Sequence, residues 1–178
     1  EWDSPWGVGF PGWHLECSVI ALETLGEQID IHTGGIDHIP VHHTNEIAQT
    51  ESVTGKPFAS LWVHNNHIKL DGQKMSKSLG NIYTLQDIQD KGFSIEAFKL
   101  LVLSKHYRTE GNFTWKNLTG AQNHLTNLRS VAVLRYQPDE TAQHTIELGT
   151  FNEKLLSVLA EDLNTVGAIS LIDTLFAT

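Results

Sequence analysis

The chain has 178 residues, a formal net charge of −9, and 40% hydrophobic and 19% charged residues. That is enough chain for one or two domains with a real core, and no apolar run approaches the ~18 residues a membrane span needs, so no membrane partner is expected. The acidic surplus excludes broad, nonspecific polyanion binding but leaves room for a local basic patch.

Taken in order, residues 1–11 combine Pro5, Pro11, Gly7 and Gly9 with Trp2, Trp6 and Phe10, and read as an ordered loop with anchoring rings. Trp13 to Leu25 carries Leu15, Val19, Ile20, Leu22 and Leu25 at helical spacing, closed by Gly26 as C-cap. Ile29-Asp30-Ile31-His32 reads as a short buried strand broken by Thr33-Gly34-Gly35. A second helix is expected from about His42 to Val53, ended by Thr54-Gly55-Lys56-Pro57, and a second strand within Leu61 to Leu70. Strand, helix, strand at this spacing predicts a parallel α/β sheet.

The character changes after Asn81. Leu85–Asp90, Ile95–Leu103 and Thr114 to about Tyr136 read as helices, Gln137–Glu147 as a linker, and Phe151 to Ala177 as one amphipathic helix or two broken at Thr165-Val166-Gly167. The polar run Lys105, His106, Tyr107 and Arg108 supplies local cations that suit a nucleic-acid stem. The lone Cys17 cannot form an internal disulfide and fits a reducing compartment. With no charged-then-apolar leader, a cytoplasmic location is expected. A chain opening on Glu1 reads as part of a longer protein.

Two constellations carry chemistry. Lys74-Met75-Ser76-Lys77-Ser78 sets two ammonium groups on a glycine-flanked loop, which suits closure over a polyphosphate and neutralisation of the charge that develops as it reacts; the plain alternative is a solvated linker. His42 and Glu46 stand four apart on the second helix, and Cys17 lies on the helix before, with 24 residues between it and His42. Cys, His and Glu are competent Zn²⁺ ligands, although a helical His-x-x-x-Glu pair is more often surface chemistry and a lone cysteine a small buried hydrophobe.

The Lys74–Ser78 pentapeptide resembles the KMSKS signature of class I aminoacyl-tRNA synthetases. Ser4-Pro5-Trp6-Gly7, Pro11-Gly12-Trp13-His14-Leu15-Glu16-Cys17-Ser18, Asp30-Ile31-His32 with Gly34-Gly35, His42-His43-Thr44-Asn45-Glu46-Ile47-Ala48-Gln49 and Trp62-Val63-His64-Asn65 resemble cysteinyl-tRNA synthetase in that family's order, and so do His106-Tyr107-Arg108 and Glu161-Asp162-Leu163-Asn164-Thr165. Phe10, Thr33, Pro40, Val41 and Val166 depart from the family's usual residues.

The resemblance implies an α/β chain: the C-terminal half of a Rossmann-like catalytic domain over 1–84, a helical stem-contact region over 85–136, and a linker with the start of a helical tRNA-binding domain over 137–178. It implies ATP-dependent activation of L-cysteine and transfer to tRNA(Cys), with Zn²⁺ selecting the thiol and ATP, with Mg²⁺, as substrate. Cys17, His42 and Glu46 match three of the family's four zinc ligands; the fourth, a cysteine, and the His-Ile-Gly-His-type ATP signature have no counterpart here. Lys77 matches the ATP-contacting lysine, with Lys74 assisting. Trp13 and His32 match positions near the amino acid; Gly34, Asp37, His64 and Asn65 match positions near the nucleotide. His14, His32, His38 and His43 are expected around the metal, where they could tune it without touching it. The alternatives are the related ligase that joins cysteine to a glucosamine-inositol in mycothiol synthesis, and an inactive zinc or binding module.

Overall fold

The computed structural model describes residues 1–76, 80–136 and 148–176. Lys77 and the expected linker Gln137–Glu147 fall outside these residues. The chain forms two compact units, Glu1–His67 and Ile68–Thr178. Among the described residues no helix is long and apolar enough to cross a membrane.

In the first unit, β1 (Trp2–Ser4) and β2 (Gly7–Gly9) pair antiparallel where a loop was expected. The Ser4 hydroxyl donates to the Gly7 carbonyl at 2.6 Å, and Gly7 turns the chain at φ +114°. Trp2 and Phe10 meet edge to face at 5.8 Å, but Trp6 is 93% exposed, so the rings are not the anchors expected. α1 (Trp13–Leu25) ends as predicted, with Gly26 at φ +96° donating to the Leu22 carbonyl.

Which face of α1 turns inward differs from the expectation. Ser18 is buried and Cys17 half-buried, whereas Leu15, Val19, Ile20 and Leu25 are exposed. The inward face is set by polar contact: Ser18 Oγ lies 2.9 Å from both the His14 carbonyl and Gln49 Oε1 on α2 (Thr44–Thr54).

β3 (Ile29–Gly35) and β4 (Ala59–Asn65) form a parallel pair, in register from Ile29↔Ala59 to Gly35↔Asn65. This is the predicted strand–helix–strand unit. Thr33-Gly34-Gly35 continues the strand rather than breaking it, because Val63, His64 and Asn65 pair with it. Between β3 and α2 lie a 3₁₀ turn at Ile36–His38 and a π turn at Ile39–His43. Pro40 brings no N–H to that turn, and the Thr44 hydroxyl donates to the Ile39 carbonyl, five residues back, at 2.6 Å. His42 therefore sits on a π turn, a feature frequent at functional sites, and the α-helix starts two residues later than expected.

The expected Leu61–Leu70 strand is two strands in two units. β4 stops at Asn65, the Asn66 side chain accepts from the His67 N–H at 2.8 Å, and β5 (Ile68–Leu70) pairs in parallel with β6 (Gly111–Phe113), a strand the sequence reading did not include. Asp71 (φ +49°) and Gly72 (φ +76°) form a tight turn closed by reciprocal 2.8 Å bonds between Leu70 and Gln73, the Asp-Gly chemistry of a hairpin turn. The Asn81 side chain then accepts from the Ser76 N–H at 2.8 Å and donates to the Lys74 carbonyl at 3.2 Å. The approach to the lysine loop is thus tied down rather than freely mobile.

α3 (Leu85–Asp90), α4 (Ile95–Leu103) and α5 (Trp115–Val133) begin at Thr84, Ser94 and Thr114, each of whose side chains caps a backbone N–H. A 3₁₀ turn, Leu134–Tyr136, follows α5. Leu70, Ile88, Ala97, Phe113 and Leu118 form the buried core of this unit. α6 (Leu148–Ala160) and α7 (Thr165–Phe176) are separate; the break precedes Thr165, at Asp162 (φ +52°) and Leu163 (φ +56°). Two consecutive side-chain-bearing residues in the left-handed region need outside support. His106 Nε2 donates to the Asp162 carbonyl at 2.8 Å, the Tyr107 hydroxyl to Oδ1 at 2.6 Å, and Arg108 to both carboxylate oxygens at 2.7 and 3.1 Å.

Leu118 is fully buried in this core. Leu118→Ala should lower the unfolding free energy by about 2–5 kcal/mol, the range for a buried leucine cavity, whereas the half-exposed Leu134→Ala should change it by less than about 1 kcal/mol. Chemical denaturation of the two variants checks this.

Candidate metal and substrate site

Every buried polar side chain among the described residues belongs to the first unit: Ser18, His42, His43, Glu46 and Thr50. Only Ile29 and Phe58 are buried apolar residues there. Burying polar groups costs free energy unless each finds a partner, so the centre of this unit is arranged as a site.

Glu46 is at its heart, 1% exposed on the first turn of α2. Its two oxygens have different surroundings. Oε2 accepts from His32 Nε2 at 2.9 Å and lies 3.8 Å from His43 Nε2. Oε1 lies 3.6 Å from His42 Nε2 and, among the described residues, has no hydrogen-bond partner. Leaving a buried carboxylate oxygen unpaired costs several times what a neutral group costs. His42 stands on that side, and Cys17, His42 and Glu46 bring one sulfur, one nitrogen and one carboxylate oxygen within 4.8 Å of one another. A soft thiol, an imidazole and a carboxylate suit a tetrahedral N/S/O metal such as zinc, and an orphaned oxygen beside His42 fits the same purpose.

His42 is held on its other edge. Its Nδ1 is 2.7 Å from Nδ1 of His14, and Trp13 stacks on its ring with centroids 3.8 Å apart and planes 26° apart. If Nε2 offers its lone pair to a metal, Nδ1 carries the proton and donates it to His14. That arrangement fixes a ligating histidine's tautomer and orientation. His43 Nδ1 pairs with His64 Nε2 at 2.8 Å.

Burial is the largest cause of the perturbed titrations. It holds His43 down to about 4, with the neighbouring histidines adding to it, and it lowers His42 and His64. These rings are therefore neutral at pH 7, the form that ligates. Burial, and next the Glu46 charge, push the Cys17 thiol above its ordinary value, against a hydrogen bond from Trp13. Metal uptake by Cys17 therefore has to displace a proton.

The structure thus brings together Trp13, Cys17, His32, Gly34, His42, Glu46 and His64. Gly34 pairs with His64 across the sheet. A Cβ on Gly34 would stand 2.6–2.8 Å from the rings of His43 and His38, so its lack of a side chain makes room for the histidine cluster. Asp37 and Asn65 are exposed and make no hydrogen bond to the cluster among the described residues. Lys74 belongs to the second unit. Ser18 and Gln49, which hold α1 against α2, were not singled out from sequence; a serine next to the candidate ligand on a helix gives no signal of its own.

The family model of the class I (C) tRNA synthetase catalytic domain matches residues 1–123. The chain is similar to cysteine–tRNA ligase of Chlamydia felis, 45% identical over 174 residues, covering 95% of this chain and 37% of the relative. It is likewise similar to that of Treponema denticola, 45% identical over 162 residues, covering 91% and 33%. The chain thus spans about a third of the length of these curated relatives. Among solved structures it resembles the agnB2 LeuRS–tRNA–LeuAMS complex of Agrobacterium radiobacter K84, with a TM-score of 0.64 at 17% identity over 83% of this chain and 22% of that one. It also resembles Mycobacterium tuberculosis methionyl-tRNA synthetase bound by methionyl-adenylate, with a TM-score of 0.59 at 19% identity over 80% and 32%. At those identities the likeness is one of fold.

The two neighbouring glycines give a direct test of the histidine packing. Gly34→Ala should destabilise the fold by about 1–3 kcal/mol, as overpacking against buried rings does. Gly35→Ala meets only the carboxylate tip of the exposed Asp37 at close range and should cost less than about 1 kcal/mol. Equal losses in denaturant titrations would contradict this packing.

Proposed function

This chain belongs to the class I (C) tRNA synthetase catalytic-domain family, and from that premise we propose that it is the part of a cysteine–tRNA ligase that binds the cysteine thiol and helps activate its carboxylate with ATP. The observation that carries the proposal is the convergence of Cys17, His42 and Glu46, with a buried Glu46 oxygen beside His42 that has no hydrogen-bond partner among the described residues. The similarity to curated cysteine–tRNA ligases over nearly the whole of this chain supports it.

In the proposed reaction the carboxylate oxygen of cysteine attacks the α-phosphorus of ATP, forming cysteinyl-adenylate and releasing pyrophosphate. A terminal ribose hydroxyl of tRNA(Cys) then attacks the acyl carbon and releases AMP. Cys17, His42 and Glu46 are the residues that would hold zinc. When bound there, zinc supplies Lewis acidity that favours a thiolate over serine's far less acidic hydroxyl, and a site built for a required bond rejects a lookalike by ~10⁴ or more. His14 orients His42 through the Nδ1 pair, and Trp13 keeps that ring in place by stacking on it. Trp13 and His32 are assigned to the amino-acid end of the site.

Gly34, Asp37, His64 and Asn65 are assigned to the nucleotide, which binds at the carboxyl ends of strands in such sheets. Lys74 and Lys77 are assigned to the phosphates. The Asn81 clasp on Lys74 and Ser76 holds the loop's first residues in place. Mg²⁺ accompanies ATP as part of the substrate. Residues 85–136 are assigned to the tRNA stem, with Lys105 as its free-standing cation candidate, and 137–178 to the start of a helical tRNA-binding domain.

Two measurements on the complete enzyme test this reading. Removing metal with a chelator should abolish cysteine-dependent ATP–pyrophosphate exchange, Zn²⁺ should restore it, and Cys17→Ser should weaken metal retention. Exchange that is indifferent to metal and to Cys17 would overturn the zinc assignment. Lys77→Ala should slow exchange by ~10²–10³, the loss expected for one preorganised charge contact in the transition state, with little change in KM for cysteine. A raised KM with exchange intact would make the loop a substrate clamp instead.

A further inference from the structure

We infer that His32 is a positioning residue for Glu46: its Nε2–H binds Oε2, and so presents Oε1 to His42, which shares the candidate metal set with Cys17. The inference rests on the zinc reading above. It changes what His32 does within that site, from a group that touches the amino acid to one that aims a metal ligand.

A glutamate side chain on a helix has three rotatable bonds, and left alone its two oxygens exchange by rotation about the last of them. Glu46 is 1% exposed, so no bulk water sets its orientation and the nearby protein donors do. On the Oε2 side, His32 Nε2 is at hydrogen-bond distance, 2.9 Å, while His43 Nε2, at 3.8 Å, is not. A carboxylate accepts, so His32 holds its proton on Nε2. His32 is in turn fixed by β3, where it pairs with Trp62 of β4. Its ring lies 4.6 Å from His43, 4.8 Å from Trp62 and 5.3 Å from the fully buried Phe58, centroid to centroid. The donor is therefore mounted on a paired strand and boxed in by rings, and the acceptor stands on the first turn of α2. A half-turn of the carboxylate only exchanges two equivalent oxygens, whereas a partial turn loses a charge-assisted hydrogen bond, so His32 fixes the plane of the group. One oxygen therefore stays toward His32 and the other toward His42.

His32, His43 and Glu46 also bring one ligand atom each within 4.8 Å, so a second metal position is the competing reading. The hydrogen bonds weigh against it. The proton on His32 Nε2 occupies the lone pair a metal would need. The His43 Nδ1–His64 Nε2 pair at 2.8 Å accounts for His43's other nitrogen, and Oε2 is already accepting. The group is a supporting shell for the first set, whose members orient a ligand without touching the ion.

The test uses the complete enzyme, with Co²⁺ and Zn²⁺ as probes. Metal affinity is measured by competition with a chromophoric chelator, and the Co²⁺ absorption bands report ligand geometry. His32→Ala should weaken metal affinity by about 10–100-fold, the usual loss when a ligand's supporting partner is removed, and should alter the Co²⁺ bands while a thiolate-to-metal band that depends on Cys17 persists. His32→Gln places an amide N–H close to where Nε2–H stood and should recover most of the affinity and the wild-type bands. Three results would overturn the inference. Wild-type affinity and bands in His32→Ala, with only KM for cysteine raised, would leave His32 as a substrate contact. Failure of His32→Gln to recover any affinity, with the variant folded by circular dichroism, would make the imidazole itself a ligand. Two equivalents of tightly held metal in the wild type, reduced to one by His32→Ala, would establish the second position. Metal binding by the wild type that does not depend on Cys17 is a different failure, because it removes the zinc reading on which the inference stands.

Discussion

A buried carboxylate with one oxygen paired and the other, among the described residues, without a hydrogen-bond partner organises the first unit. Ionised groups are almost never fully buried unless something compensates them, and at Glu46 that compensation shapes the surrounding chain. β3 carries the donor, the π turn carries His42, α1 carries Cys17, and Ser18 with Gln49 fixes α1 against α2. Each of these elements would be serviceable elsewhere with an apolar interior. Here the interior holds five polar side chains and two apolar ones, so the unit's own hydrophobic burial is small. Filling the site would therefore add directly to stability, because a ligand that binds only the folded form shifts the folding equilibrium toward it.

The fold was legible where local chemistry decides it. α1, α3 and α4 run over the predicted residues, because a capping glycine or side chain marks an end and the turn residues mark the boundaries. The parallel β3–β4 pair was legible for the same reason. What was misread depends on contacts far along the chain. Thr33-Gly34-Gly35 has turn composition but becomes strand because a partner strand runs beside it. The apolar spacing of α1 is real, yet the face it predicted is exposed, and the buried face follows polar contacts that periodicity does not register. β6 is three residues long, too short for any pattern.

The site divides the same way. Cys17, His42 and Glu46 were named from residue type and from family resemblance, and the structure brings them within ligand range of one another. His32 was named as well, both beside the amino acid and around the metal: sequence puts it at the end of a strand, where ligands bind, and cannot say that its ring nitrogen is engaged by a carboxylate fourteen residues on. Nor can sequence say that a side chain on Gly34 would run into two histidine rings. In both cases the residue was identifiable and its partner was not, because the partner is chosen by the register between strand and helix.

Charge in the second unit follows the same logic. Lys105, His106, Tyr107 and Arg108 read as a cationic patch in a chain of net charge −9. Arg108, however, makes a two-point ion pair with Asp162, and the Tyr107 hydroxyl and a nitrogen of His106 converge on the same residue. Three of the four polar side chains are thus engaged at the corner between α6 and α7, where two side-chain-bearing residues stand in the left-handed region. A phosphate approaching Arg108 would have to compete with a carboxylate already in place and would withdraw support from a strained turn. An exposed ion pair is individually weak, so the constraint lies in the geometry: the guanidinium is oriented by its acid before any polyanion arrives. The salt dependence of nucleic-acid binding counts phosphates neutralised by cations that are free to release counterions. A cation whose charge is already matched contributes less to that count than its place in the sequence suggests.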